Sequence, residues 1–440
     1  MQRRYHGLVV NSFSSAQRVA AGIHSYSPLA SGFAATQGAW RFFANESVTL
    51  PGLCGPLVEL GRSGVSESCD GYALVALDWS NLHYNTHAAK LDRTTLSRKN
   101  DLGYELFTAL VLSDRDGSPI APVCVELRSA LGLHTTRMEE TQKPVSVLDR
   151  LEGVMNHVKE QAFSRPPVFI VDREADSVGH YRKWEKAGHR FIIRADETRR
   201  VLHEGKDVTL AQVADALRSR FKPARLMQLK GKTAEQFVTE TTVVLHRPAR
   251  QHRVDSKSGK SRHKNIPGPL LPLRLVIAEG RDPQGKVLAR WLLLSHLPDQ
   301  VNDSTIALWY YWRWRIESYH KLLKSAGQHV EQWQQESAPA LLRRLLVCAM
   351  SAVLVWHLAR DDRPEIQPLR SLLVQLSGRQ MKRTKTARGF TEPALLAGLC
   401  ILLPMLALLE TMSLQDLQAQ TRQILPLLQP LLPKRDQDTG

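Results

Sequence analysis

Tyr310, Arg313, Glu317 and Lys324 place a phenol, two cations and a carboxylate along one proline-free stretch, NDSTIALWYYWRWRIESYHKLLKSAG, residues 302–327. At ~100° per residue these four fall in a stripe about 60° wide. Leu308, Trp312, Ile316, Tyr319 and Leu323 fall on a separate apolar face. The spacing predicts a single helix, capped at its start by Asp303 or Ser304 and ended at Gly327. Its plain reading is a solvated face bearing an ordinary Arg313–Glu317 pair four residues apart. Its chemical reading is a carboxylate flanked by cations, a face fit to work on an anionic substrate.

Two more acids sit where a sheet could bring them to the same place. Asp78 closes the apolar run YALVALD, and Asp172 follows VFIV at the head of DREAD. Each has a modest alternative, since an Asp after a strand can start a turn or cap the next helix. If the two strands are parallel neighbours, both carboxylates leave the sheet at the same end. Asp172 is preferred over Glu174 and Asp176 because it sits directly at the strand end.

The elements that must position these acids follow in order. Residues 1–66 read as helical and rich in small residues, with Trp40, Phe42 and Phe43 forming a small core. LFTALVLSDRDGSPIAPVCVEL reads as two strands joined by a turn at 114–117. Val147, Leu148, Leu151, Val154, Met155 and Val158 repeat at helical spacing, VFIV is a buried strand, and FIIRAD another. The order of strand, hairpin, helix, strand, helix, strand and then the Glu317 helix predicts an α/β (α+β) layering of a mixed sheet and helices. This core occupies 67–199 and resumes over 291–370. Residues 200–290 interrupt it as a β-rich insertion around a polar loop, 247–264, dense in Lys and Arg with one acid, Asp255. The region 371–440 reads as helical. It holds a second basic run (Arg379, Lys382, Arg383, Lys385, Arg388), a Leu-rich end and a candidate dimer contact.

Composition narrows the partners. Lys and Arg number 59 against 43 Asp and Glu, a formal charge of +16, which favours a polyanion, nucleic acid before an anionic membrane. The five cysteines are scattered without a C-x-x-C pair. That suits a reducing cytoplasm and excludes a disulfide scaffold or a cysteine zinc site. The longest apolar run, 395–409, contains Pro404 and is too short to span a bilayer. The expectation is a soluble, cytoplasmic protein with no membrane partner.

The spacing Tyr310-x2-Arg313-x3-Glu317-x6-Lys324, with RWRIE and HK around it, resembles the Y-R-E-K signature of bacterial insertion-sequence transposases of the IS-four family. These are DDE enzymes with a ribonuclease-H-like core. DREAD resembles the family's second-aspartate motif closely, LDWSNLHY its first-aspartate region more loosely, and GAWRF a run in its N-terminal end-recognition region. The resemblance spans about 33–360. It implies catalytic and metal-holding roles for Asp78, Asp172 and Glu317. The cofactor it implies is Mg²⁺, with Mn²⁺ able to substitute, as two ions about 3.5–4 Å apart held by hard carboxylate oxygens.

The same resemblance implies that Tyr310, Arg313 and Lys324 grip the DNA end. Trp291 would stack beside a base flipped out during hairpin formation, and Arg194 would lie near the same end. Trp291 has a plainer reading as a core residue packed in a strand. The partners implied are double-stranded transposon ends and target DNA, bridged by a homodimer. The activity implied is cut-and-paste transposition by strand nicking, hairpin formation and strand transfer. Two rivals stay open: a non-catalytic DNA-binding derivative, and a ribonuclease-H-like nuclease without strand transfer.

Overall fold

The computed structural model describes residues 32–422 apart from 144, 230, 255–260, 380–388 and 411. The chain before residue 32, the middle of the first basic loop and most of the second basic run therefore lie outside the described residues.

Two helices come first, α1 (Gly32–Ala44) and α2 (Leu50–Ser68), the latter capped by the Thr49 hydroxyl. Then follow β1 (Ala73–His83), the short β2 (Thr94–Thr95), β3 (Leu102–Ser113), β4 (Pro119–Ser129) and β5 (Gly132–Thr135). Helix α3 (Val147–Glu160) leads to β6 (Pro167–Val171), α4 (Val178–Lys186) and β7 (Arg190–Arg194). The next stretch holds β8 (Arg200–His203), β9 (Lys206–Thr209), α5 (Leu210–Ala216), β10 (Lys222–Leu229), β11 (Lys232–Leu245), β12 (Ala249–Val254), β13 (Ser261–Ile266), β14 (Leu271–Arg281) and β15 (Val287–His296). Helices close the described chain: α6 (Asp303–Trp312), α7 (Trp314–Leu323), α8 (Ala338–Arg360), α9 (Ile366–Leu376), α10 (Glu392–Leu409) and α11 (Leu414–Arg422).

One large mixed sheet runs β5-β4-β3-β1-β6-β7-β15-β14-β11-β8-β9. Strands β1, β3 and β4 pair antiparallel, whereas β1, β6 and β7 are parallel. An antiparallel meander followed by parallel strands joined through helices is the ribonuclease-H-like arrangement. The central strands read as apolar runs because helices cover both faces: Ala73–Leu77 and Val168–Val171 are fully buried. Apart from β12 and β13, the strands of the 200–290 stretch extend this sheet, and β15 crosses position 290. Within the stretch expected as a basic loop, β12 and β13 form a separate antiparallel ribbon, from Ala249↔Ile266 to Val254↔Ser261.

Helix α8 packs into the core. Its buried Arg343 reaches back to the carbonyls of Phe43 and Val48, which ties the N-terminal helices to it. Among the described residues two helices, α8 and α10, are long and apolar enough to span a membrane by composition, yet α8 is mostly enclosed by the fold. Pro404 does not end α10. That helix keeps Leu395 and Leu396 inside and leaves Ile401, Met405, Leu406, Leu408 and Leu409 exposed. All five cysteines are unpaired thiols.

Candidate active site

The single helix expected over 302–327 is two helices with a joint at Arg313. Asn302, rather than Asp303 or Ser304, caps the start by accepting the Thr305 N–H at 2.8 Å. At the joint the Arg313 N–H donates to the Tyr310 carbonyl at 3.1 Å, a tight turn of the i→i+3 kind that often marks a functional site inside a helix. The second helix ends at Leu323, four positions before Gly327, and Lys324 takes a non-helical backbone (φ −88°, ψ −114°). The pair runs alongside β1: Tyr72 meets Trp309 at its start (5.4 Å), and Lys324 reaches Ser80 at its end. Ile316, Tyr319 and Leu323 are buried as expected. Tyr310 and Arg313, expected on the open face, are buried too, at 1% and 5% exposure.

The sheet brings the two aspartates into one row. β1 and β6 pair in parallel from Ala73↔Pro167 to Ala76↔Ile170, and the same register carried onward sets Asp78 beside Asp172. The β6–β7 register, ending at Val171↔Ile193, likewise sets Asp172 beside Arg194. Asp78 does not close its strand, as its sequence suggested. β1 continues to His83 against β3, and only its pairing with β6 has ended there. Both carboxylates therefore stand where β6 stops and the sheet opens.

Arg313 lies over this row. Its guanidinium donates to Asp78 Oδ2 at 3.4 Å and to Glu317 Oε1 at 3.0 Å, while its Nε is buried without a partner. The Asp78 carboxyl is raised to about 7, chiefly by burial and further by Asp172 and Glu317, against the pull of Arg313 and the Trp79 N–H. Burial works against the Arg313 charge, but Tyr310, Asp78, Asp172 and Glu317 outweigh it and hold its pKa above the ordinary value. The Tyr310 hydroxyl is raised, mainly by burial. Asp172 caps its own turn by accepting the Glu174 N–H at 2.9 Å. Asp176 is fully engaged by Arg199, Tyr181 and the Asp196 N–H.

Trp291 is buried on β15, with its ring 5.6 Å from Tyr310 and 6.4 Å from Tyr311. Trp291, Tyr310 and Arg313 thus form a line from the extended sheet to the acids. Lys324 is turned inward. It donates to Ser80 Oγ at 2.9 Å and to the Asn81 carbonyl, and lies 3.8 Å from Glu331. Burial lowers its pKa, and Glu331 opposes that.

Three residues of this neighbourhood were missed in the sequence. Ser80 and Glu331 hold Lys324, and Glu331 also accepts the His83 N–H at 2.9 Å. His320 is buried 3.4 Å from Thr108, the residue paired with Asp78 across β3. His320 lies three residues after Glu317, a helical neighbour that the spacing could have flagged. Nothing in the sequence pointed to Glu331, which belongs to a short turn after the helix.

Three carboxylates on separate elements are the right donors for a hard divalent cation. Even so, among the described residues no three His, Cys, Asp or Glu side chains are grouped closely enough to hold one. The donors fit in kind; Arg313 holds an oxygen of two of them.

No protein-family model matches this sequence, and no curated protein matches it. Among solved structures, the chain is similar to a piggyBac transposase synaptic complex with hairpin DNA, seen by cryo-EM, at 10% identity and a TM-score of 0.35, over 99% of this chain and 77% of that one. A likeness that slight carries no inference about activity.

Proposed function

We propose that the chain is a DNA transposase that excises and inserts its element by cut-and-paste chemistry. The observation that supports the reading is the Arg313 guanidinium, which joins Asp78 of β1 to Glu317 of the Y-R-E-K helix, with Asp172 set beside Asp78 by the β1–β6 register. Asp78, Asp172 and Glu317 would hold Mg²⁺, which on binding would polarise the phosphodiester and raise the acidity of the attacking water or 3′-hydroxyl. The chain's own part is to hold the end still. Arg313 offers a planar fork, suited to two phosphate oxygens, and Lys324 a point charge. Tyr310 and Trp291, both buried and 5.6 Å apart, back the Arg313 side chain from inside the fold. The charge of +16 favours the duplex as a whole.

The sequence of steps in this reading is a nick at the element end, attack of the freed 3′-hydroxyl on the opposite strand, hydrolysis of the resulting hairpin, and joining to target DNA. Two ends must be handled together, so a homodimer is the working unit, and the exposed apolar side of α10 supports a contact between copies.

The test uses the full chain, DNA carrying the element's terminal repeats, and Mg²⁺. The expected products are an end-specific nick, a hairpin and then joined target, formed in a complex of two chains and two ends. Cleavage of arbitrary duplex at the same rate, with no joined product, would leave a nuclease. Binding without cleavage would leave a DNA-binding derivative.

A further inference from the structure

We propose that Arg313 competes with the divalent metal for the acids: its guanidinium cross-links Asp78 and Glu317 in the free protein and must let go of both before an ion can be held. The inference rests on the transposase reading only in taking these acids as metal ligands.

The geometry makes the competition hard to avoid. One side chain spends one terminal nitrogen on Asp78 (3.4 Å) and the other on Glu317 (3.0 Å). A guanidinium can do this because its fork is planar and rigid, whereas an ammonium would serve one carboxylate at a time. No other ion pair to Asp78 or Glu317 is present among the described residues. Lys324 is committed to Ser80, Asn81 and Glu331, and Asp172 also contributes to the negative field at Asp78. Without Arg313, Asp78 and Glu317 would lose the cation that joins them, and the charges of Asp172 and Glu317 would act unopposed on Asp78. With it, the same oxygens that a cation needs are occupied, and a divalent ion would meet a fixed positive charge at contact distance. Oxygen sharing and charge repulsion act in the same direction.

The joint in the helix gives the side chain its alternative. Arg313 sits at a tight turn between two helices rather than inside one, and its Nε is unsatisfied where it now lies. A phosphate entering with DNA would satisfy that nitrogen while drawing the guanidinium from the acids. Ion and DNA would then each ease the entry of the other, because both require the same side chain to move.

The experiment measures Mn²⁺ binding to the full chain without DNA, by the loss of the free-ion paramagnetic resonance signal. Arg313→Gln should bind at least about tenfold more tightly than wild type, the worth of one charge-assisted hydrogen bond. Arg313→Lys should fall between them. Asp172→Asn should remove the binding, which assigns the ion to this site. Equal or weaker affinity in Arg313→Gln would overturn the competition while leaving the acids as ligands. Should Arg313→Gln fail to fold, Arg313→Lys decides, and wild-type affinity in it is the overturning result. If neither wild type nor Arg313→Lys retains Mn²⁺, the metal reading falls together with the competition. Adding short end DNA to wild type should tighten Mn²⁺, and an unchanged affinity would equally count against the shared switch.

Discussion

Asp78 on β1 and Asp172, the first residue past β6, occupy matching positions although no backbone pairing joins them there, because β1 and β6 stop pairing at Ala76↔Ile170. The opening of the sheet leaves both carboxylates beyond the last β1–β6 pair. Replacing either by Asn keeps size and hydrogen bonding but removes the charge. Asp78→Asn and Asp172→Asn should each cut Mg²⁺-dependent nicking by more than about a hundredfold, beyond what loss of an outer partner costs at a metal site. Binding to end DNA in a gel assay should stay within about threefold, since neither acid contributes to the salt-dependent grip on phosphates. Near-normal nicking in either variant would remove that residue from the site.

Gly117 is the second point where the fold sets the site, through Trp312. It has φ +70°, and a Cβ there would come within 2.3–2.6 Å of the Trp312 ring. Trp312 immediately precedes Arg313, so a displaced indole would pull on the joint. Gly117→Ala combines left-handed backbone strain of roughly 1 kcal/mol with a steric clash, and should destabilise by about 2–4 kcal/mol. Thermal unfolding measures it, and a variant melting within a degree of wild type would show that the indole yields freely.

Buried histidines give the protein an acid limit. Burial lowers His320 to about 3 and His189 to about 4. In the unfolded chain both would titrate near ~6.5. Between these values the unfolded state binds more protons, so stability is fully present above about pH 6.5 and is lost as pH falls towards 4 and below. Each group can contribute up to about 1.4 kcal/mol per pH unit in that window. Melting curves at pH 7.5 and 5 should show the loss, and His320→Gln should show less of it. Equal losses in the variant would assign the acid sensitivity elsewhere.

The sequence spoke most clearly where local pattern and burial coincide. The strands VFIV and FIIRAD and the helix from Val147 needed no tertiary knowledge, because each is apolar at the period of its own element, and the turn at 114–117 is marked by its own polar residues and Gly117. The parallel pairing that sets Asp78 beside Asp172 could be posed only as a condition. Burial of Arg313 and Tyr310 was not legible at all. Helical spacing says which residues share a face, but not whether the sheet covers that face. The break at Arg313 also escaped, since no Gly or Pro marks it. The joint lies where the two helices follow β1, from Tyr72 at its start to Ser80 beyond Asp78, and that contact is long-range.

Lys324 presents the sharpest choice between two roles. In the free protein its amine is bound to Ser80 Oγ and the Asn81 carbonyl, with Glu331 at 3.8 Å. It therefore ties the end of α7 to the far end of β1. The proposed role is to contact a DNA phosphate, which requires the amine to leave or share these partners. The two roles separate by comparing Lys324→Ala with Ser80→Ala. Loss of the amine removes the tie and the charge; loss of the hydroxyl removes one partner and keeps the charge. If Lys324 does both, Lys324→Ala should lower stability by about 1–2 kcal/mol. It should also weaken end binding roughly tenfold or more, with a shallower salt dependence by about one phosphate. Ser80→Ala should lose about 0.5–1.5 kcal/mol of stability and bind the end as wild type, because the amine is then freer to leave. Filter binding across a salt series and thermal melts read both. If Lys324→Ala loses stability alone while its affinity and salt slope match wild type, the lysine is a tether, and its place in the stripe with Tyr310, Arg313 and Glu317 is structural.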